Sequence, residues 1–391
     1  MKCSLLNSGK FTIAVPGRNF VSVAAMVAAV CIGEGSFVTM PFIVGAISER
    51  LNFSSGAAAM VISFQFAFMA VTSGLLSAVV HKVDRRLLLL IAGVLIMFAN
   101  GLAIASTDAT WFLFSRACMG IGEGAALSVG YALAAGTRRP HHTFTIVTFA
   151  MVAMATPMYL SVPLVATHAG SLAVFYVLLA MAVICYPFLF GTQAHYTDDT
   201  PAKNADSSVW RPFPWVLLGI CCLYISNNTL WAFSERIGSA MGLDLKTISN
   251  AFLATVIVTL IGPLAANLTQ RKWSYVRPIV VAVTAQVIAI FTLVYAFNLV
   301  MFLVGIIFIN ALSLFLVPYY RSLTAFLDPK GRLASATTIS QTVATAIGPF
   351  IGGAILLAGG NYAQVGWMAS LFSIVSLLLI FNTARKAELF W

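Results

Sequence analysis

Phe114-Ser115-Arg116-Ala117-Cys118-Met119-Gly120-Ile121-Gly122-Glu123-Gly124-Ala125-Ala126-Leu127-Ser128-Val129-Gly130 lies in a run apolar enough to cross a membrane, yet it carries an arginine and a glutamate. The two are seven residues apart, which is two helical turns, so they share one helix face. A charge at the bilayer centre costs roughly 3 kcal/mol on insertion scales. Two on one face call for a partner, a water-filled cavity, or both. The rest of the chain is read as the structure that makes them tolerable.

Of 391 residues, 60% are hydrophobic and 9% charged, against roughly 25% charged in an ordinary soluble domain. Mean hydropathy is +0.94. No soluble fold of this size hides so much apolar surface, so the solvent is lipid. Twelve helices of about 20 residues take roughly 240 residues and leave enough for loops. Five of the six cysteines (all but Cys3) lie in apolar segments and read as small core residues, not as a disulfide framework. Lys2, Lys10 and Arg18 precede a first apolar run too long for a signal-peptide core, so it is expected to be an uncleaved span.

The spans follow in order. Span one, 19–47, is interrupted only by Glu34, and span two, 55–80, has no Asp, Glu, Lys or Arg. Spans three and four are 87–106 and 110–136. The uncharged stretch Thr143–Thr197 is too long for one span and divides at Pro163 and His168-Ala169-Gly170-Ser171 into spans five and six. Residues 194–213 are polar and read as a cytoplasmic linker between an N-terminal six-helix bundle, 1–193, and a C-terminal one, 214–391. Spans seven to twelve follow, with divisions at Gln270-Arg271-Lys272, Ala296-Phe297-Asn298, Asp328-Pro329-Lys330-Gly331-Arg332 and Gly359-Gly360-Asn361. With both termini cytoplasmic, eighteen of the 22 Lys and Arg fall inside, and only Arg50, Arg236 and Lys246 fall outside. That asymmetry fixes the expected orientation and explains the net charge of +10 without nucleic acid.

Two self-similarities appear. Ala46-Ile47-Ser48-Glu49-Arg50-Leu51 ends span one, and Ala232-Phe233-Ser234-Glu235-Arg236-Ile237 ends span seven, 186 residues later. This repeat argues for two parallel halves, that is, an all-α membrane protein of twelve transmembrane helices in two bundles related by a pseudo-two-fold axis. Ile32-Gly33-Glu34-Gly35 recurs as Ile121-Gly122-Glu123-Gly124 in an oppositely directed span, as an inverted three-helix repeat predicts.

Over essentially its full length the chain resembles the major facilitator superfamily of secondary transporters. That family's loop between helices two and three reads roughly Gly-x-Leu-Ala-Asp-Arg-x-Gly-Arg-Arg. Here Ser77-Ala78-Val79-Val80-His81-Lys82-Val83-Asp84-Arg85-Arg86 keeps the basic residues and places His81 at the aspartate position. The fourth-helix signature of proton-coupled drug antiporters, Arg-x-x-Gln-Gly-x-Gly, is similar to the run at Arg116, Gly120 and Gly122, with Met119 for the glutamine. Their fifth-helix glycine-proline signature has its likeness in span eleven, Gly348-Pro349-Phe350-Ile351-Gly352-Gly353, while span five offers Ala155-Thr156-Pro157. The resemblance implies alternating access in the cytoplasmic (inner) membrane of a prokaryote, by a functional monomer. It also implies that His81, Lys82, Asp84, Arg85 and Arg86 take part in a cytoplasmic gate; the plainer reading is that the basic ones set topology.

Proton coupling needs a carboxylate whose protonation responds to access and to a neighbouring charge. Glu34 and Glu123 lie at mid-depth, and Arg116 lies about 10 Å outward of Glu123, so Glu34, Glu123 and Arg116 form the expected proton-coupling group. The alternative is a static buried ion pair. The second half has no mid-depth carboxylate but offers amides and rings. Asn227, Asn228, Trp231, Asn310, Gln341 and Tyr224, with Phe37 from span one, are the candidate substrate-binding residues; taken singly, each is better explained by packing, the amides bonding to a neighbouring helix and the Tyr and Trp sitting at the membrane interface. Arg321, near the cytoplasmic end of span ten, reads as an anchor or gate. Two acids and one base favour a cationic, zwitterionic or neutral amphiphilic solute.

No Gly-x-x-x-x-Gly-Lys-Ser/Thr loop or metal motif is present, so neither ATP drive nor a metal or other cofactor is expected. No convergent His, Asp or Ser set points to an enzyme. The expected function is a proton-coupled secondary transporter of a small organic solute, possible exporters included. The alternatives are an uptake symporter or facilitator, and, from another class, a non-transporting sensor on the same fold. The partners are substrate, protons and lipid.

Overall fold

Membrane-length apolar runs must satisfy their backbone groups internally, so each becomes a helix. The computed structural model describes residues 16–80, 82–135, 137, 140–192, 213–270, 272–327 and 332–388. Among them are α1 (Pro16–Val38), α2 (Met40–Arg50), α3 (Ser55–Val79), α4 (Arg85–Ala105), α5 (Ala109–Ala135), α6 (Pro140–Ala169), α7 (Ala173–Leu189), α8 (Phe213–Ala240), α9 (Leu245–Gln270), α10 (Val276–Val294), α11 (Leu299–Leu327), α12 (Arg332–Leu357) and α13 (Tyr362–Glu388). Eleven stretches are long and apolar enough to span, and one of them, Thr145–Leu189, holds both α6 and α7. The two are parted at Gly170, whose φ of 55° few side chains tolerate, where the sequence marks its turn. The architecture is therefore twelve spans in two six-span bundles. The expected linker, 194–213, lies outside the described residues except for Phe213, with which α8 begins.

Span one departs from the expected single helix. It is α1 and α2, parted at Thr39 (φ −95°, ψ 10°). The cause is Pro41. It has no N–H to donate to the carbonyl four residues back, and it disfavours helical geometry in the residue before it. Thr39 eases the break by donating its Oγ1 to Gly35 O at 2.9 Å.

Short connections put alternate loops on opposite faces. One face carries the loops after α3 and α9, with Lys82, Arg85, Arg86 and Lys272, and is called the basic face here. The opposite face carries the loops after α2, α4, α8 and α10. In the first bundle α5 is the central helix, packed on α1, α3 and α4; in the second, α8 packs on α12 and α13. The bundles meet through α2 on α8, α3 on α12, and α6 on α9, whereas α1 packs on α5, α6 and α7 of its own bundle. Large apolar side chains such as Leu75, Leu164, Ile184, Leu264 and Leu378 face outward, as a lipid-exposed surface requires.

Two close approaches set these contacts. A Cβ on Gly120 would stand 2.1 Å from the Gln65 carbonyl oxygen, so α5 can lie on α3 only with glycine there. A Cβ on Gly56 or on Gly353 would each meet the other's carbonyl oxygen at 2.7 Å, so α3 and α12 come this close only with glycine at both positions.

Candidate functional site

The two charges of α5 do not touch each other. Glu123 is fully buried, and its carboxylate accepts the Ser36 backbone N–H at 3.2 Å and the Gln65 amide Nε2 at 2.8 Å. The carbonyl end of that amide accepts from Arg116 Nη1 at 3.4 Å. Gln65 of α3 is thus a dipole laid between a cation and an anion, the right way round for both. Arg116, also fully buried, donates to Ser115 Oγ at 3.3 Å and to Ala99 O at 3.5 Å. It lies over the rings of Phe112 and Phe175, 5.4 and 5.0 Å from their centroids, which supply attraction without an anion. Because Ser36 belongs to α1, the Glu123 carboxylate touches three helices: α1, α3 and α5.

Glu34 lies apart from this group. It is half-buried, and its Oε1 accepts the Tyr131 hydroxyl at 3.0 Å. Tyr131 is two turns beyond Glu123 on α5, toward the basic face. The expected trio is therefore divided: Arg116 and Glu123 share a bridge inside the first bundle, and Glu34 is held by a phenol nearer the second. Tyr131 and Tyr224 each stand within electrostatic range of both Glu34 and Arg321. Tyr224, Arg321 and Gln341 line one small pocket with Tyr320 and Thr337. Arg321, expected as an anchor or gate, is exposed and lines that pocket.

Pro41 also decides how the bundles meet. The carbonyl it leaves without a helical donor is that of Phe37, and the Trp231 indole N–H of α8 takes it at 3.0 Å. One residue on, Val38 O accepts the Tyr159 hydroxyl at 3.2 Å. Four rings from both bundles close around this break. Phe42 and Phe252 are 5.2 Å apart, Tyr159 and Phe252 5.8 Å, and Trp231 and Phe252 5.0 Å. Ser249 Oγ donates to Tyr159 O and ties α9 to α6.

The amides of α8 point different ways. Asn227 Oδ1 accepts from Gln286 Nε2 and Ser313 Oγ, both at 2.7 Å, inside the second bundle. Asn228, buried, donates to Thr345 Oγ1 at 3.1 Å on α12. Asn310 donates to Ile306 O of its own helix at 2.8 Å. Of the sequence candidates, the structure gathers Trp231 with Phe37 between the bundles, and Tyr224 with Gln341 in a pocket lined by second-bundle residues; it turns Asn227 and Asn228 toward neighbouring helices.

On the basic face Asp84 caps α4, accepting the Leu87 N–H at 3.0 Å. Arg85 is buried and donates to Val80 O at 3.3 Å; Arg86 lies 5.7 Å from the Phe190 ring centroid; Lys82 is exposed. His81 lies outside the described residues. On the opposite face Arg236 is held by two carboxylates, Glu235 at 2.5 Å and Glu49 of the other bundle at 2.9 Å. They border a cavity of about 270 Å³ between the bundles.

Sequence reasoning missed Gln65, Tyr131, Tyr159 and the consequence of Pro41. Gln65 had a signal, being a large amide in a span without charge. Tyr131 had one too, lying two turns from Glu123.

A family model described as Major Facilitator Superfamily matches residues 25–353. An uncharacterized MFS-type transporter of Bacillus subtilis strain 168, YbcL, is 23% identical over 359 residues, which cover 88% of this chain and 91% of that protein. Among solved structures, a bacterial homolog of the human lysosomal transporter Spinster, in an inward-facing and unoccupied conformation, superposes with a TM-score of 0.70 at 14% identity, covering 96% of this chain and 98% of its own. The human organic anion transporter MFSD10 (TETRAN) gives 0.64 at 13% identity, over 94% and 100%.

Proposed function

The chain belongs to the Major Facilitator Superfamily, and from that premise we propose that it is a proton-coupled carrier of a small organic solute, working by alternating access. The basic face is read as cytoplasmic, on the positive-inside rule. The bundles are joined at the opposite face, so the arrangement corresponds to a cytoplasm-open state, and the Arg236 contacts and the aromatic cluster belong to the closed outer gate. The basic loop with Lys82, Asp84, Arg85 and Arg86 then belongs to the inner gate.

One observation carries the coupling. The Glu123 carboxylate accepts a backbone N–H of α1 at Ser36 while Gln65 links it to Arg116. A proton on Glu123 removes an acceptor from that bridge and weakens the hold on α1, the helix that also bears Glu34. Protonation and the position of span one are thereby linked. Glu34, at the inter-bundle space, is the second exchange point, reachable from the open side.

The test is flux in proteoliposomes under an imposed pH gradient, on a solute first identified by thermal-shift screening at two pH values. Glu34→Gln and Glu123→Gln should each lose the dependence of transport on the proton gradient. Retention of the wild-type dependence by both variants sinks the coupling assignment. Comparison of inside-out vesicles with right-side-out cells fixes direction.

A further inference from the structure

The space between the bundles is bipolar. On one wall Glu34 Oε1 accepts the Tyr131 hydroxyl, and the second carboxylate oxygen is uncommitted to any described residue. On the other wall stands Arg321, exposed, whose guanidinium has no ion-pair or hydrogen-bond partner among the described residues. The two side chains make no ion pair with each other, and Tyr131 and Tyr224 lie in range of both. The depth agrees with this. Phe37 and Trp231 fix α1 against α8 at one level. Glu34 is three residues from Phe37, about 4.5 Å toward the basic face, and Tyr224 is seven from Trp231, about 10 Å the same way. One tyrosine from each bundle, Tyr131 and Tyr224, thus lies in range of a carboxylate and a guanidinium that do not pair with each other.

We infer that this site takes a zwitterion with an apolar body: its cationic group on Glu34, its anionic group on Arg321, and its body against Phe37, Trp231 and the two tyrosines. Each charge of such a solute meets a charge-assisted partner, and the rings favour both its cation and its apolar part. A solute bearing only a cation would leave Arg321 facing it unanswered. The inference rests on the carrier reading for the identity of the site and goes beyond it in naming the ligand.

The experiment measures binding and flux separately. The probes are tryptophan and 6-aminohexanoate, each with its amide, which keeps only the cation, and its N-acetyl derivative, which keeps only the anion. Wild-type protein in detergent should bind at least one zwitterion roughly tenfold more tightly than either of its single-charge analogues. Arg321→Gln should abolish the preference over the amide, and Arg321→Lys should keep most of it; Glu34→Gln should abolish the preference over the N-acetyl form. Because Arg321 is exposed, ligand-free melting of its variants controls for folding. The assignment is overturned if neither zwitterion is preferred in the wild type. It is also overturned if Arg321→Gln weakens the zwitterion and its amide equally, as a pure gating arginine would. Zwitterion binding without flux in proteoliposomes contradicts the carrier reading alone; flux of zwitterion and amide alike by the wild type, with no zwitterion preference in wild-type binding, contradicts the bipolar site alone.

Discussion

Spans one and seven end on the same tripeptide, Ser48-Glu49-Arg50 and Ser234-Glu235-Arg236, and the two copies are used differently. Arg50 turns into its own bundle and caps the end of α4, donating to Ile104 O at 2.9 Å and Ser106 O at 2.5 Å. Arg236 turns across the boundary to Glu49, with Glu235 beside it. Gly45 makes room, since a Cβ there would meet Glu235 Oε2 at 2.5 Å. The helices differ in the same sense. Span one is broken at Pro41, and its freed carbonyl receives a donor from span seven; span seven runs unbroken as α8. The two halves thus carry like segments in unlike forms. One is a jointed element carrying Glu34, the other an unbroken helix that meets it. The acidic first bundle and the amide-lined second repeat that division in their polar groups.

The largest expected difference lies between the two arginines. Arg236→Gln leaves Glu235, only 4% exposed, without its guanidinium, which should cost about 3 kcal/mol. Arg50→Gln leaves two helix-end carbonyls and should cost about 1 kcal/mol. Unfolding of both variants in detergent measures this. Adding Glu235→Gln to Arg236→Gln should restore most of the loss, and equal costs for the two arginines would erase the distinction drawn here.

Next comes the seam that holds the charged bridge. Gly120→Ala drives a methyl into the Gln65 carbonyl and should cost about 2 kcal/mol. Gly101→Ala, with open space around it, should be neutral or slightly stabilising. Melting temperatures of the pair test whether α5 on α3 is as tight as the geometry requires.

Pro41→Ala is milder. It restores the helical donor to Phe37 O, which then competes with Trp231, so the contact between bundles should weaken by about 1 kcal/mol. Cysteine-labelling rates at the opposite face should rise in Pro41→Ala and in Trp231→Phe alike, and the double variant should add little to either.

The smallest effects belong to the helix starts. Asp108 accepts the N–H groups of Thr110 and Trp111, and Asp244 the hydroxyl of Thr247. These bonds hold both carboxyls below the usual carboxylate range. A lowered folded value means the caps help above the ordinary range and fail as pH falls through the lowered one. Asp108→Ala and Asp244→Ala should therefore lower thermal stability slightly at pH 7 and not at all near pH 2.

The fold was legible in the sequence because it follows from run length and from which residues a bilayer resists. The twelve spans and the division at Gly170 came from that. Azimuth was not legible. Numbering tells how far Glu34 lies along its helix but not which neighbour it faces, and spans without charge leave helix rotation open. Hence Glu34 went to Tyr131 instead of the Arg116 group, and Asn227 and Asn228, adjacent in sequence, turned to different helices. Pro41 announced a break, yet the donor that answers it comes from a residue 190 positions away, which no local pattern encodes.

The central claim, that carboxylates of the first bundle link protonation to the position of span one, is tested most directly without any solute. Nitroxide labels at Thr107 and Phe297 report the opposite face, and labels at Lys82 and Lys272 the basic face, in a cysteine-free background; all four positions are exposed. Distance distributions are recorded between pH 5 and pH 9 for the wild type and for Glu34→Gln/Glu123→Gln. The account predicts that the wild type redistributes with pH, one face closing as the other opens, and that the double variant does not. A double variant that redistributes as the wild type does would contradict it.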